Sequence, residues 1–115
     1  MDNIILEKSK KFAIRAVKLY QYLTNEKKEF ILSKQLLKSG TSVGANVREA
    51  HNSMSKAEFK MKMNIALKEA SETEYWLELL FETNYIEKEH FESIYKDCSE
   101  LNKLLISIIK TLNKK

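Results

Sequence analysis

The sequence predicts an all-α protein, an up-down-up-down antiparallel four-helix bundle, and three observations carry that expectation. Proline is absent and only two glycines occur in 115 residues, so little in the chain interrupts a helix. Apolar residues recur at steps of three and four over four long stretches, as one face of a 3.6-residue period requires. Polar connections of a few residues separate the stretches, which makes successive helices antiparallel neighbours. The expected helices span about 4–24, 28–52, 55–83 and 87–113 of a single domain, 1–115.

In the first helix, Ile5, Phe12, Ala16, Leu19 and Leu23 form the inner stripe, and Thr24 to Lys28 supply a polar turn. Beside it, Lys8, Lys11, Arg15, Lys18 and Tyr22 fall on one stripe at the same steps. Such a row of cations can track phosphates without reading bases. An ordinary solvated face is the plainer account of the same residues.

The second helix holds both glycines, in the segment KSGTSVGANVREA from Lys38 to Ala50. Leu36, Gly40, Val43, Val47, Ala50 and Met54 make an apolar stripe. Gln35, Ser39, Ser42, Asn46 and Glu49 make a small polar one, about 100° round the helix. Both stripes run unbroken through the glycines, so the segment reads as helix. A phosphate loop needs Lys-Ser/Thr after its second glycine, and Ala45-Asn46 stands there instead. Lys34, Lys38 and Arg48 flank the Gly-xxx-Gly spacing and forbid a lipid-buried helix pair; on the outer side they extend the cationic surface. Each interior glycine costs about 1 kcal/mol relative to alanine, which calls for close approach by another helix. Whether that helix belongs to the same chain or to a neighbouring subunit stays open in the sequence. The polar stripe is accordingly either packing or interface.

The third helix opens on Ser55-Lys56-Ala57-Glu58, a capping-box pattern. It continues through Phe59, Met63, Ala66, Ala70, Thr73, Leu77 and Leu80 and stops at Asn84, a residue suited to the left-handed C-terminal position. Glu69, Glu72 and Trp76 share one face. A tryptophan with flanking charges suits a subunit interface. A catalytic acid pair would need burial and a histidine or metal partner, and none is visible. In the fourth helix Phe91, Ile94, Cys98, Leu101, Leu105, Ile108 and Leu112 alternate steps of three and four. Cys98 is thereby a small core hydrophobe.

A four-helix bundle raises the question of a di-metal carboxylate site, which uses two Glu-x-x-His pairs and two further glutamates. Glu87-Lys88-Glu89-His90 offers one such pair, and His51, with Glu49 two residues before it, does not supply the second. No catalytic residue, metal or cofactor is therefore expected, and a di-metal enzyme is the remote alternative. Cationic residues outnumber acidic ones 13 to 6 through residue 62 and fall behind, 7 to 10, after it. This asymmetry suits either a polyanion or complementary surfaces in an oligomer. One cysteine, no apolar run of about 18 residues and no signal-peptide pattern give a cytoplasmic expectation with no membrane association.

The segments SKQLLKSGTSVGANVREA and EFKMKMNIALKEASETEYWLELL resemble the four-helix-bundle family named after 23S rRNA intervening-sequence proteins. That family's pattern runs roughly Gln-Leu-x-Arg-x-x-x-Ser-Ile/Val-x-x-Asn-Ile/Val-x-Glu. Gln35, Leu36, Ser42, Val43, Asn46, Val47 and Glu49 match it, while Lys38 replaces the usual arginine and Ala50 a common glycine. The chain is also similar to accessory proteins of diversity-generating retroelements. The resemblance implies a homo-oligomer, typically a homopentameric ring, that binds RNA or DNA and a reverse transcriptase through a basic surface. The expectation is a non-enzymatic binding or scaffold module holding a nucleic-acid backbone by its helix-one and helix-two cations. The alternative is a protein–protein adaptor, for a reverse transcriptase for example, without direct nucleic-acid contact.

Overall fold

A computed structural model describes residues 3–114. Four helices account for nearly all of them: α1 (Asn3–Asn25), α2 (Leu32–His51), α3 (Lys56–Glu82) and α4 (Lys88–Asn113). No strand occurs among the described residues. Each helix packs on the next, and α1 closes the ring of contacts against α4. Cross-helix pairs such as Ser39–Thr73 and Glu49–Lys62 run in opposite chain directions, so the bundle is up-down-up-down and antiparallel. It is a rod of 48 × 20 × 20 Å.

Local chemistry explains where the helices begin and end. Ser55 Oγ accepts the Glu58 N–H at 3.0 Å, the capping bond its position calls for. At the other end of α3, Asn84 takes a φ of 70°. The Asn84 N–H then reaches the Phe81 carbonyl at 3.0 Å and the Tyr85 N–H the Leu80 carbonyl at 2.8 Å. Those two bonds form a Schellman motif. The second helix starts at Leu32, four residues after the expected 28. Lys28 has a φ of 54° and turns the chain, while the Glu29 carboxylate takes over the work of a cap. Its Oε1 accepts from Ser33 N at 2.7 Å, and its Oε2 from Leu32 N at 2.9 Å and Ile31 N at 3.1 Å. Burial pushes the Glu29 carboxyl up, but the N–H groups of Leu32, Ser33 and Ile31 outweigh it and leave the acid below its usual range.

The core follows the three-and-four steps. Ile5, Phe12, Ala16, Leu19 and Leu23 of α1 are buried, with Ser9 completing their row. Met63, Ala66, Ala70, Thr73, Leu77 and Leu80 of α3 face them, and Ile94, Cys98, Leu101 and Leu105 close the interior from α4. The expected stripes loosen toward the helix ends, where Phe59, Phe91 and Leu112 are only partly buried. Met54 is 93% exposed, because α2 ends at His51 and leaves it in the turn. Near the end of α4 it is Ile109 that is buried and Ile108 only partly so, because a strict seven-residue seam drifts round a 3.6-residue helix.

Gly40 and Gly44 face α1 of the same chain. A β-carbon on Gly44 would stand 3.1 Å from the Ser9 carbonyl oxygen, and Gly40 meets Ala16 in the same way. The approaching helix is therefore intrachain, and it sets how closely α1 and α2 lie.

Candidate functional site

The close α1–α2 contact leaves a shallow outer groove of about 920 Å³, floored by Ala13, Thr41, Gly44 and Ala45. Lys10 lies on its α1 side, Arg48 and His51 on its α2 side. Because Ala16 packs on Gly40, the antiparallel register brings Lys18 level with Lys38. Lys34 lies one further turn along α2. These lysines and Arg48 are exposed, and none joins the three ion pairs found among the described residues. Of the acids on this side, Glu49 is held by Lys62 of α3 at 2.7 Å, which leaves Glu7.

The row of cations expected on helix one divides. Lys8 pairs with Glu100 at 3.3 Å and Arg15 with Asp97 at 2.7 Å, both acids on α4. A cleft of about 280 Å³ lies between these helices, with Phe12 and Leu101 at its base and Lys11 at its mouth. Tyr22 meets His90 edge-on, with ring centroids 6.5 Å apart. Burial, and then the Arg15 charge, push the His90 imidazole below its ordinary value. Among the described residues no three His, Cys, Asp or Glu side chains stand where they could share a metal ion. No helix there is long and apolar enough to cross a membrane.

The α2–α3 side gathers the polar stripe. Ser39 and Thr73 are buried and joined by a 2.8 Å hydrogen bond between their hydroxyls. Ser42 Oγ and Asn46 Nδ2 donate to the carbonyls of Lys38 and Ser42, four residues back. Gln35 is exposed. Across from these, Glu72 accepts from Trp76 Nε1 at 3.2 Å, and Glu69 is half-buried with its carbonyl accepting from Thr73 Oγ1. Tyr75, exposed, stacks edge-on against Trp76. Thus Ser39 is a packing residue, while Gln35, Glu49, Glu69, Glu72 and Trp76 border one open surface.

The family model described as 23S rRNA-intervening sequence protein matches residues 1–107. The chain belongs to that family. A crystal structure from Bacteroides thetaiotaomicron VPI-5482, described as a protein with unknown function from the S23 ribosomal protein family, is 62% identical to this chain. The match covers 94% of this chain and 96% of that one, with a TM-score of 0.92. No curated protein matches.

Within this 23S rRNA-intervening sequence protein family member, Lys38 at the usual arginine position is exposed. It supplies a point charge where arginine would supply a two-pronged fork. Lys10 was not legible as a site residue from the helix-one stripe. A usable signal existed: Lys10 lies three residues before Ala13 and Arg48 four after Gly44, so each small residue has a cation one turn away.

Proposed function

We propose that the protein is a non-enzymatic binding module that assembles with copies of itself and grips the backbone of RNA along the outer α1–α2 face. One observation carries this reading: Lys10 and Arg48 line the α1–α2 groove and, like Lys18, Lys34 and Lys38 on the outward sides of the two helices, stand exposed and free of ion pairs, whereas α4 neutralises Lys8 and Arg15. Unpaired cations release counterions from phosphates; cations already paired contribute little. The family description, which speaks of an intervening sequence in 23S rRNA, favours RNA over other polyanions. Copies of the chain would meet along the α2–α3 surface, where Trp76 lies between carboxylates, and the ring of five implied by the resemblance would repeat the cationic face.

Binding of a labelled RNA, followed as salt is raised from about 50 mM, tests the reading. Binding that weakens steeply with salt, and that drops at least about tenfold when Lys10→Glu is combined with Arg48→Glu, is the expected result. Lys8→Ala with Arg15→Ala should change affinity little. Absence of binding at about 50 mM salt sinks the proposal. Light scattering addresses assembly: a lone 13.5 kDa species at micromolar concentration would refute it.

An adaptor role is the second reading. Ile14 and Val17, 47% and 37% exposed on the outward side of α1, would suit the apolar face of a partner helix. Ile14→Ala with Val17→Ala would weaken such a contact without altering the charge of the face.

A further inference from the structure

The α1–α2 groove holds more than charge. Its floor is a low apolar strip of Ala13, Gly44 and Ala45, with Leu6 further down α1. Gly44 packs on the Ser9 backbone, so the antiparallel register sets Leu6 nearly level with Arg48 and puts His51 toward the end of the bundle. The volume, about 920 Å³, lies in the range of sites that take a small organic molecule, about 300–1,000 Å³.

Two planar side chains stand over one end of this strip. Arg48 and His51 are three residues apart on α2, one turn from each other on the same side of the helix, and both line the groove. Both are exposed. Among the described residues neither side chain has a hydrogen-bond, ion-pair or ring partner. A guanidinium plane and an imidazole ring are both groups on which unpaired bases stack. A base offers its face in this way only when it is splayed out of a duplex. Lys10 stands on the facing helix, exposed and free of ion pairs, where a phosphate beside the stacked base would meet it. Glu49, next to Arg48, is drawn off to Lys62 at 2.7 Å. Glu7 remains on the α1 edge, and its carboxylate can accept from the amino group of a base. Cations beside stacking platforms are the combination that holds single strands.

We infer that the α1–α2 groove holds an unpaired purine of RNA, its base stacked on Arg48 and His51 and its phosphate held by Lys10. The inference rests on the RNA-binding reading and adds a base-contacting site to it. Fluorescence anisotropy with the full chain can compare a short oligoadenosine with an abasic ribose-phosphate strand of the same length, and so of the same charge. Stacking of one base is expected to make oligoadenosine bind at least about fivefold tighter. That ratio should persist as salt rises from about 50 to about 200 mM, while both affinities fall together. Arg48→Lys keeps the charge and removes the plane, and His51→Ala removes the ring; each should bring the ratio toward one. Both positions are exposed, and circular dichroism checks that the helices persist. Lys10→Glu should weaken both strands alike. Equal binding of the two strands, or a ratio that neither Arg48→Lys nor His51→Ala moves, overturns the inference while leaving the RNA reading in place. Adenosine monophosphate bound as tightly as the oligomer would make this a free-nucleotide site and overturn it as well. Binding of neither strand overturns both readings.

Discussion

A β-carbon built on Gly40 stands 2.8 Å from the β-carbon of Ala16, well inside the 3.5–4.0 Å at which two carbons rest. Neither atom sits on a flexible arm that could swing aside, so any added carbon must push α1 and α2 apart. Alanine would raise local helix propensity by about 1 kcal/mol, but overpacking a filled contact costs about 1–3 kcal/mol. Gly40→Ala should therefore lower stability by up to about 2 kcal/mol, read as a fall in the urea midpoint. Adding Ala16→Gly should restore part of the loss, giving a favourable coupling in the double-mutant cycle. A gain in stability from Gly40→Ala alone would show that the helices can part freely.

Glu29 supplies a pH dependence whose sign follows from its lowered pKa. A carboxyl depressed on folding stabilises the native state above its unfolded value, and that contribution fades as pH falls through the folded value. Replacing it, as Glu29→Gln, should cost about 1–2 kcal/mol at neutral pH, the range for a lost helix cap. The gap between wild type and variant should shrink as the pH drops below the ordinary value of 4.5. Thermal melts at pH 7 and pH 3 check this, and a gap that grows at low pH would contradict it.

Lys28 holds a left-handed φ of 54°, a conformation that costs a residue with a β-carbon about 1–2 kcal/mol. Lys28→Gly removes that strain and returns part of it as unfolded-state entropy. A net gain of about 0.5–1 kcal/mol is expected. Lys27→Gly, one residue earlier, should bring none.

Asn102 is 8% exposed, and its Nδ2 has no hydrogen-bond partner among the described residues. Its Oδ1 accepts from Ser71 Oγ at 3.3 Å. An unpaired buried donor costs about 1–3 kcal/mol, enough to offset the packing lost on truncation. Asn102→Ala should thus change stability by less than about 1 kcal/mol, where Leu105→Ala, in the same helix, should cost about 2–5 kcal/mol. Equal losses at the two positions would mean that Asn102 is well satisfied.

The bundle was readable because its information is local and periodic. Steps of three and four mark Ile5, Leu19, Met63 and Leu101 as interior, and Ser55 and Asn84 announce helix ends by their own side-chain chemistry. What the periodicity cannot carry is which faces meet. Lys8 and Arg15 are indistinguishable from Lys11 and Lys18 along α1 until α4 places Glu100 and Asp97 beside them. The same holds for the glycines, whose need for a neighbour is plain in the sequence while the identity of that neighbour is a tertiary fact. The start of α2 differs from the expected 28 because a capping carboxylate three residues before the helix looks, in one dimension, like one more surface glutamate.

Cys98, the chain's one thiol, is fully buried and donates weakly to the Ala70 carbonyl. Burial, reinforced by Glu74 and Asp97, pushes its ionisation far above the ordinary range. A maleimide or disulfide reagent can therefore reach the sulfur only when α3 and α4 separate. The native molecule thus carries its own clock for opening: the rate at which Cys98 is captured, followed by mass, reports how often the bundle comes apart. Surface cysteines introduced elsewhere could be labelled selectively while the native one stays silent.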